Sequence, residues 1–232
     1  KPYIPGGNIT LNSGGSGQTY DGSIILSANS TFTAQGTESH SLGGGFTANA
    51  GATFTAASST WNFTATTTGK SIIGVAPLTF WRMNFSGASG GWVVNQALTV
   101  GENFLPSAGT VSGTSNVTVN GTTTAGTGSI AMTGGTFTLA NGGTFGGNNN
   151  WSFNNLTFGN GTTATTTKTG SSTVTIAGLL TDSASHTFQA GTSTTWVLSG
   201  VGTPLVLSGT FTVQNALFRY ASNGATNVTP AS

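Results

Sequence analysis

Four carboxylates and two histidines are all that this 232-residue chain offers for general acid–base chemistry. They are Asp21, Glu38, Glu102, Asp182, His40 and His186. Two pairs stand close in sequence, Glu38 with His40 and Asp182 with His186, and either could with a serine form part of a nucleophilic triad. No Gly-x-Ser-x-Gly elbow accompanies them, and a triad needs its serine held exposed on such a turn. There is no cysteine, and each histidine lacks a second ligand at metal spacing, so no thiolate or imidazole metal site is expected. Gly43-Gly44-Gly45 and Gly142-Gly143-x-x-Gly146-Gly147 superficially resemble phosphate loops but lack the Lys-Ser/Thr that follows one. These residue types read as turn chemistry, with all four carboxylates as solvated turn residues. The expectation is a protein that is not an enzyme and carries no cofactor.

Other signals concern surfaces. Asn8, Asn29, Asn62, Asn84, Asn116, Asn120, Asn150, Asn155, Asn160 and Asn227 each head an Asn-x-Ser/Thr triplet, the acceptor pattern for N-glycosylation. Trp81 follows Phe80 and precedes Arg82; if Phe80 points inward, alternation turns Trp81 out. Exposed Trp and Arg are enriched at interfaces, which makes Trp81 and Arg82 candidate contacts with a protein or a glycan ring. Core packing is the expectation for Trp61, Trp151 and Trp196.

The elements that position these residues come from a repeat. Apolar-Thr-apolar triplets occur at Leu78-Thr79-Phe80, Leu98-Thr99-Val100, Val117-Thr118-Val119, Phe137-Thr138-Leu139, Leu156-Thr157-Phe158 and Val174-Thr175-Ile176. Apolar spacing of two marks strands, not helices. A second strand keeps the same rhythm through Ile72-Ile73, Val93-Val94, Thr110-Val111, Ile130-Ala131 and Trp151-Ser152-Phe153. Two strands repeating in phase every ~20 residues describe coils of a parallel β-solenoid. The expectation is an all-β rod of about 11–12 coils, ~55 Å long, with the six central threonines outward on one sheet. An antiparallel β-sandwich with a donated strand is the alternative. Glu102 would lie about three coils from Glu38 and about four from Asp182, beyond the ~5–10 Å of a glycosidase pair. A single Thr row with apolar flanks also disfavours the paired rows of a flat ice-binding face.

Residues 1–13 contain Pro2, Pro5 and the strand-like Ile9-Thr10-Leu11, an extended arm or the first strand. Residues 14–232 read as one solenoid domain, most regular over 72–176. Charged residues are 4% of the chain against a usual ~25%, while 35% are hydrophobic, including 14 Phe and five Trp. That is enough apolar side chain for a core, and it excludes the high-charge composition of disorder. Lys1, Lys70, Arg82, Lys168 and Arg219 are scattered, leaving no basic patch for nucleic acid. No 18-residue apolar run offers a transmembrane helix. Lys1 opens the chain without methionine, which fits either a processed mature chain or one cut at that point.

With ~20-residue coils, outward Thr rows, Gly/Asn corners and little charge, the chain resembles the β-solenoid repeats of bacterial cell-surface and secreted proteins, of the filamentous-haemagglutinin or autotransporter-passenger type. Ala97-Leu98-Thr99-Val100-Gly101 and Phe153-Asn154-Asn155-Leu156-Thr157-Phe158-Gly159 carry the likeness. It implies an extracellular stalk, fibre or adhesive rod and transfers no functional residue. Neutral solenoids without polar caps pair their end edges with other strands. The expectation is therefore a homopolymer joined through Ile9, Leu11, Leu217 and Phe218. The runner-up is an adhesin segment that binds surface glycans.

Overall fold

Short strands whose alternate side chains are apolar bury one row and expose the other, and the described residues form 31 strands, most of them of this kind. The computed structural model describes Tyr3 and residues 8–11, 17–224 and 226–229. Every strand pair is parallel, and no helix occurs among the described residues. The fold is a parallel β-solenoid of about 9 turns with ~22 residues per turn.

Three strands make each turn, not two. The first face is a continuous ten-stranded sheet from Ile24–Leu26 to Asn215–Tyr220. The second face is a three-stranded sheet, Asn8–Leu11 to Thr53–Thr55, followed by an eight-stranded one, Leu78–Phe80 to Thr226–Thr229. The third is a five-stranded sheet from Thr19–Tyr20 to Phe104–Pro106, then another from Thr123–Ala125 to Thr210–Thr212. The extra strand lengthens each turn, so the rod has fewer turns than the ~20-residue spacing predicts. At ~4.8 Å per turn it is on the order of 45 Å long.

Five of the six apolar-Thr-apolar triplets share the second face in strict register, Thr79 on Thr99, Thr118, Thr138 and Thr157. Their threonines point outward, and none is buried. The sixth, Val174-Thr175-Ile176, lies instead on the first face, paired with Trp151–Phe153. Its place is taken by Leu180-Thr181-Asp182. The spacing alone could not separate the two, because both faces repeat with the same period.

The interior is one continuous apolar column. Four of the five indoles are fully buried: Trp61, Trp92, Trp151 and Trp196. A buried indole N–H needs an acceptor. Trp61 Nε1 donates to Ser59 Oγ at 2.7 Å, Trp92 to the Gly44 carbonyl at 3.3 Å, Trp151 to Gly128 at 2.9 Å and Trp196 to Ala190 at 3.0 Å.

Candidate functional site

The polar groups of this fold fall into two sets, one sealed in the column and one at a break in the second face. Within the column, the strand Leu180–Asp182 carries Asp182 at an inward position. In other turns that stack holds Phe80, Val100, Val119, Leu139, Phe158 and Leu207. The carboxylate is accepted there because the next strand, His186–Gln189, brings in His186, whose Nδ1 lies 2.5 Å from Asp182 Oδ1. His186 Nε2 lies 3.1 Å from the hydroxyl of Thr166. The order Asp–His–hydroxyl is that of a nucleophilic triad. All three side chains are buried, however, so a solvent-borne substrate cannot reach the hydroxyl in this conformation.

Lys168 lies in the same stretch, on the strand Ala164–Thr169, and is also buried. Its ammonium donates to the carbonyls of Thr169 at 2.5 Å and Gly170 at 3.2 Å and to Ser172 Oγ at 3.1 Å. Burial pulls its pKa from 10.5 down to about 8. Near the other end of the rod, His40 and Glu38 are buried too. His40 rests against Trp61 with ring centroids 4.5 Å apart and accepts the Gln18 N–H at 3.4 Å. Burial lowers its pKa, and the negative charge of Glu38 partly opposes that. Glu38 Oε1 accepts the Gln35 N–H at 2.9 Å. The expectation that all four carboxylates are solvated thus holds for Asp21 and the half-exposed Glu102 but not for Glu38 and Asp182. Side chains four residues apart around a tight corner, Asp182 with His186 and Lys168 with Ser172, meet inside the column, which a linear reading of turns overlooks.

A pH prediction follows from Lys168. The folded state holds this amine with a pKa of about 8 against 10.5 for the ordinary side chain, so between those values the unfolded chain binds more protons. Thermal stability is expected to rise as pH increases from 8 towards 10. Above 10 an opposing effect sets in, because burial, aided by Tyr3, pushes Tyr20 up to about 12. Lys168→Met should abolish the rise between pH 8 and 10, measured by melting temperature at closely spaced pH values. An unchanged slope would show that the buried amine is not its source.

The second set lies on the surface. Trp81 is the one exposed indole, 36% accessible. Arg82 forms an ion pair with Glu102 in the next turn and donates weakly to the Ser58 carbonyl at 3.4 Å. Leu217 is 60% exposed and Phe218 half-buried on the strand Asn215–Tyr220. The backbone of Ile9 and Leu11 pairs with Phe32 and Ala34. The side chains of Ile9, Leu11, Asn8 and Asn227 lie outside the described residues.

Of the other sequons, Asn29, Asn116, Asn120, Asn150 and Asn160 are exposed, whereas Asn62, Asn84 and Asn155 are half-buried. Asn62 and Asn84 belong to an amide ladder up the third face: Asn84 Nδ2 donates to Asn62 Oδ1 at 3.1 Å, and Asn62 Nδ2 to Ser39 Oγ at 2.7 Å. No group of three or more metal-binding side chains occurs among the described residues. No described helix is long and apolar enough to cross a membrane.

Compared with protein-family models, curated proteins and solved structures, the chain matches none.

Proposed function

We propose that this protein is a structural segment of an extracellular rod or fibre, extended by stacking one solenoid end on another through parallel β-strand pairing. The observation that carries this reading is the last described turn. Asn215–Tyr220 and Thr210–Thr212 are the outermost strands of their faces, each paired on one side. Val213, Leu217 and Tyr220 are exposed there, and Phe211 and Phe218 are only partly covered. An open sheet edge recruits further strands. A head-to-tail contact is heterologous and propagates into a filament. The likeness to bacterial surface solenoids supports the extracellular placement, and the near absence of charge favours self-association.

Negative-stain microscopy tests this reading. Purified protein should form rods of uniform width, many times the length of one chain, with weak dependence on salt because few ion pairs are available. Val213→Asp with Leu217→Asp should leave single short rods of unchanged circular dichroism, and so should deletion of residues 1–13. Short rods from the unaltered chain at every concentration tested would refute end-to-end stacking.

A further inference from the structure

The second face is broken at one place. The strands Thr53–Thr55 and Leu78–Phe80 lie in successive turns but belong to different sheets. Backbone contact with the preceding turn ends at the Val75 N–H bond to the Ala48 carbonyl, 3.3 Å, and resumes at Arg82 N–H to Ser59, also 3.3 Å. Among the described residues none of 76–81 makes such a bond in between. The three-residue corner before the strand, 75–77, bears Val75, 68% exposed, and Pro77, which has no N–H to give.

The seam opens into a crevice of about 190 Å³ walled by Trp81, Phe54, Thr55, Ala57 and Thr79. It shares Phe54 and Thr79 with a neighbouring groove of about 310 Å³. Trp81 is placed by Gly101 in the next turn, where a Cβ would overlap the indole ring. Ala57, on the opposite wall, holds a left-handed backbone with φ 48°, a conformation that non-glycine residues seldom adopt.

We propose that this crevice is a binding subsite for a neutral, gluco-configured pyranose ring of a glycan. Such a ring has an apolar face of C–H groups, which packs on the electron-rich face of an indole. Its equatorial hydroxyls need donors and acceptors around the rim. The seam supplies them as Thr55 and Thr79 hydroxyls and as strand-edge amides and carbonyls left unpaired across the break. Arg82 and Glu102 flank Trp81 and neutralise each other, which suits an uncharged ligand over a phosphate or a carboxylate. The volume is below the ~300–1,000 Å³ of drug-sized pockets, so the crevice takes one ring, with the adjoining groove open to the next. The proposal makes no use of the solenoid ends and stands or falls separately from end-to-end stacking.

The test is a fluorescence titration of the full chain with cellotriose, a neutral β-linked glucose trimer. Since the other four indoles are buried, the response should come from Trp81. A saturable change is expected at concentrations up to about 10 mM, where a weak site of ~1 mM would be nearly filled. Trp81→Ala should abolish it and Trp81→Phe should retain weaker binding. Gly101→Ala, which keeps all five indoles but displaces Trp81, should weaken binding at least tenfold. Each variant should keep the circular dichroism of the parent. No saturable response, or one that survives Trp81→Ala, would overturn the proposal. So would a change in sedimentation on Trp81→Ala without any sugar response, which would make this face a contact between copies of the chain.

Discussion

Asp182→Ala is expected to lower stability by about 3–5 kcal/mol, the cost of removing one partner from a buried polar pair. The substitution leaves His186 Nδ1 without its partner at 2.5 Å and opens space in a stack otherwise filled by Phe158 and Leu207. If the pair serves the column only as a satisfied polar insert, apolar residues can replace both members together. Asp182→Leu with His186→Phe should then recover most of the loss, because buried pairs exchanged whole for hydrophobic residues are often neutral or stabilising. Urea unfolding of Asp182→Leu alone, His186→Phe alone and the double variant forms the required cycle. A double variant no better than the sum of its singles would show that the pair is not energetically coupled.

Trp196→Ala should cost a similar amount, about 3–5 kcal/mol, through lost burial and the cavity left behind. This indole packs on Phe145, Phe158, Phe188 and Phe218, with centroids 5.2–6.3 Å away, and so ties four successive turns together. In a solenoid each turn depends on its neighbours, so the loss should be local. Hydrogen exchange is expected to show protection falling between about residues 145 and 220, while Lys70–Gly74 and Gly91–Val94 keep theirs. Uniform loss of protection along the rod would contradict nearest-neighbour stacking.

These two substitutions differ in how visible their sites are in the sequence. Trp196 lies two residues before the buried Leu198, with Thr195 and Val197 turned the other way, and its burial follows from alternation of two. Asp182 breaks that alternation, and the break is its signal. Once Leu180-Thr181-Asp182 is placed beneath Leu156-Thr157-Phe158, a carboxylate falls where the neighbouring turns have apolar side chains. Its position in that stack could not be read locally, because Val174-Thr175-Ile176 fits the same period six residues earlier and belongs to another face. The third strand of each turn was obscured for a related reason. In Arg82-Met83-Asn84-Phe85 the inward Met83 and Phe85 follow Leu78 and Phe80 after a single step of three, with Trp81 and Arg82 both outside the core, and one extra residue is too slight a mark to separate two faces in the sequence.

By itself the sequence determined that the chain folds into parallel β-coils, that the apolar residues flanking the central threonines face the core, and that Trp81 faces out. Those properties follow from side-chain periodicity, a local consequence of pleated backbone. The number of strands per turn, the meeting of Asp182, His186 and Thr166, and the seam beside Trp81 were decided only by the tertiary structure. Each depends on which turn lies above which, and that register is set by the summed lengths of three corners. The break beside Val75–Pro77 divides a whole face into two sheets while leaving the alternation within each strand as it was.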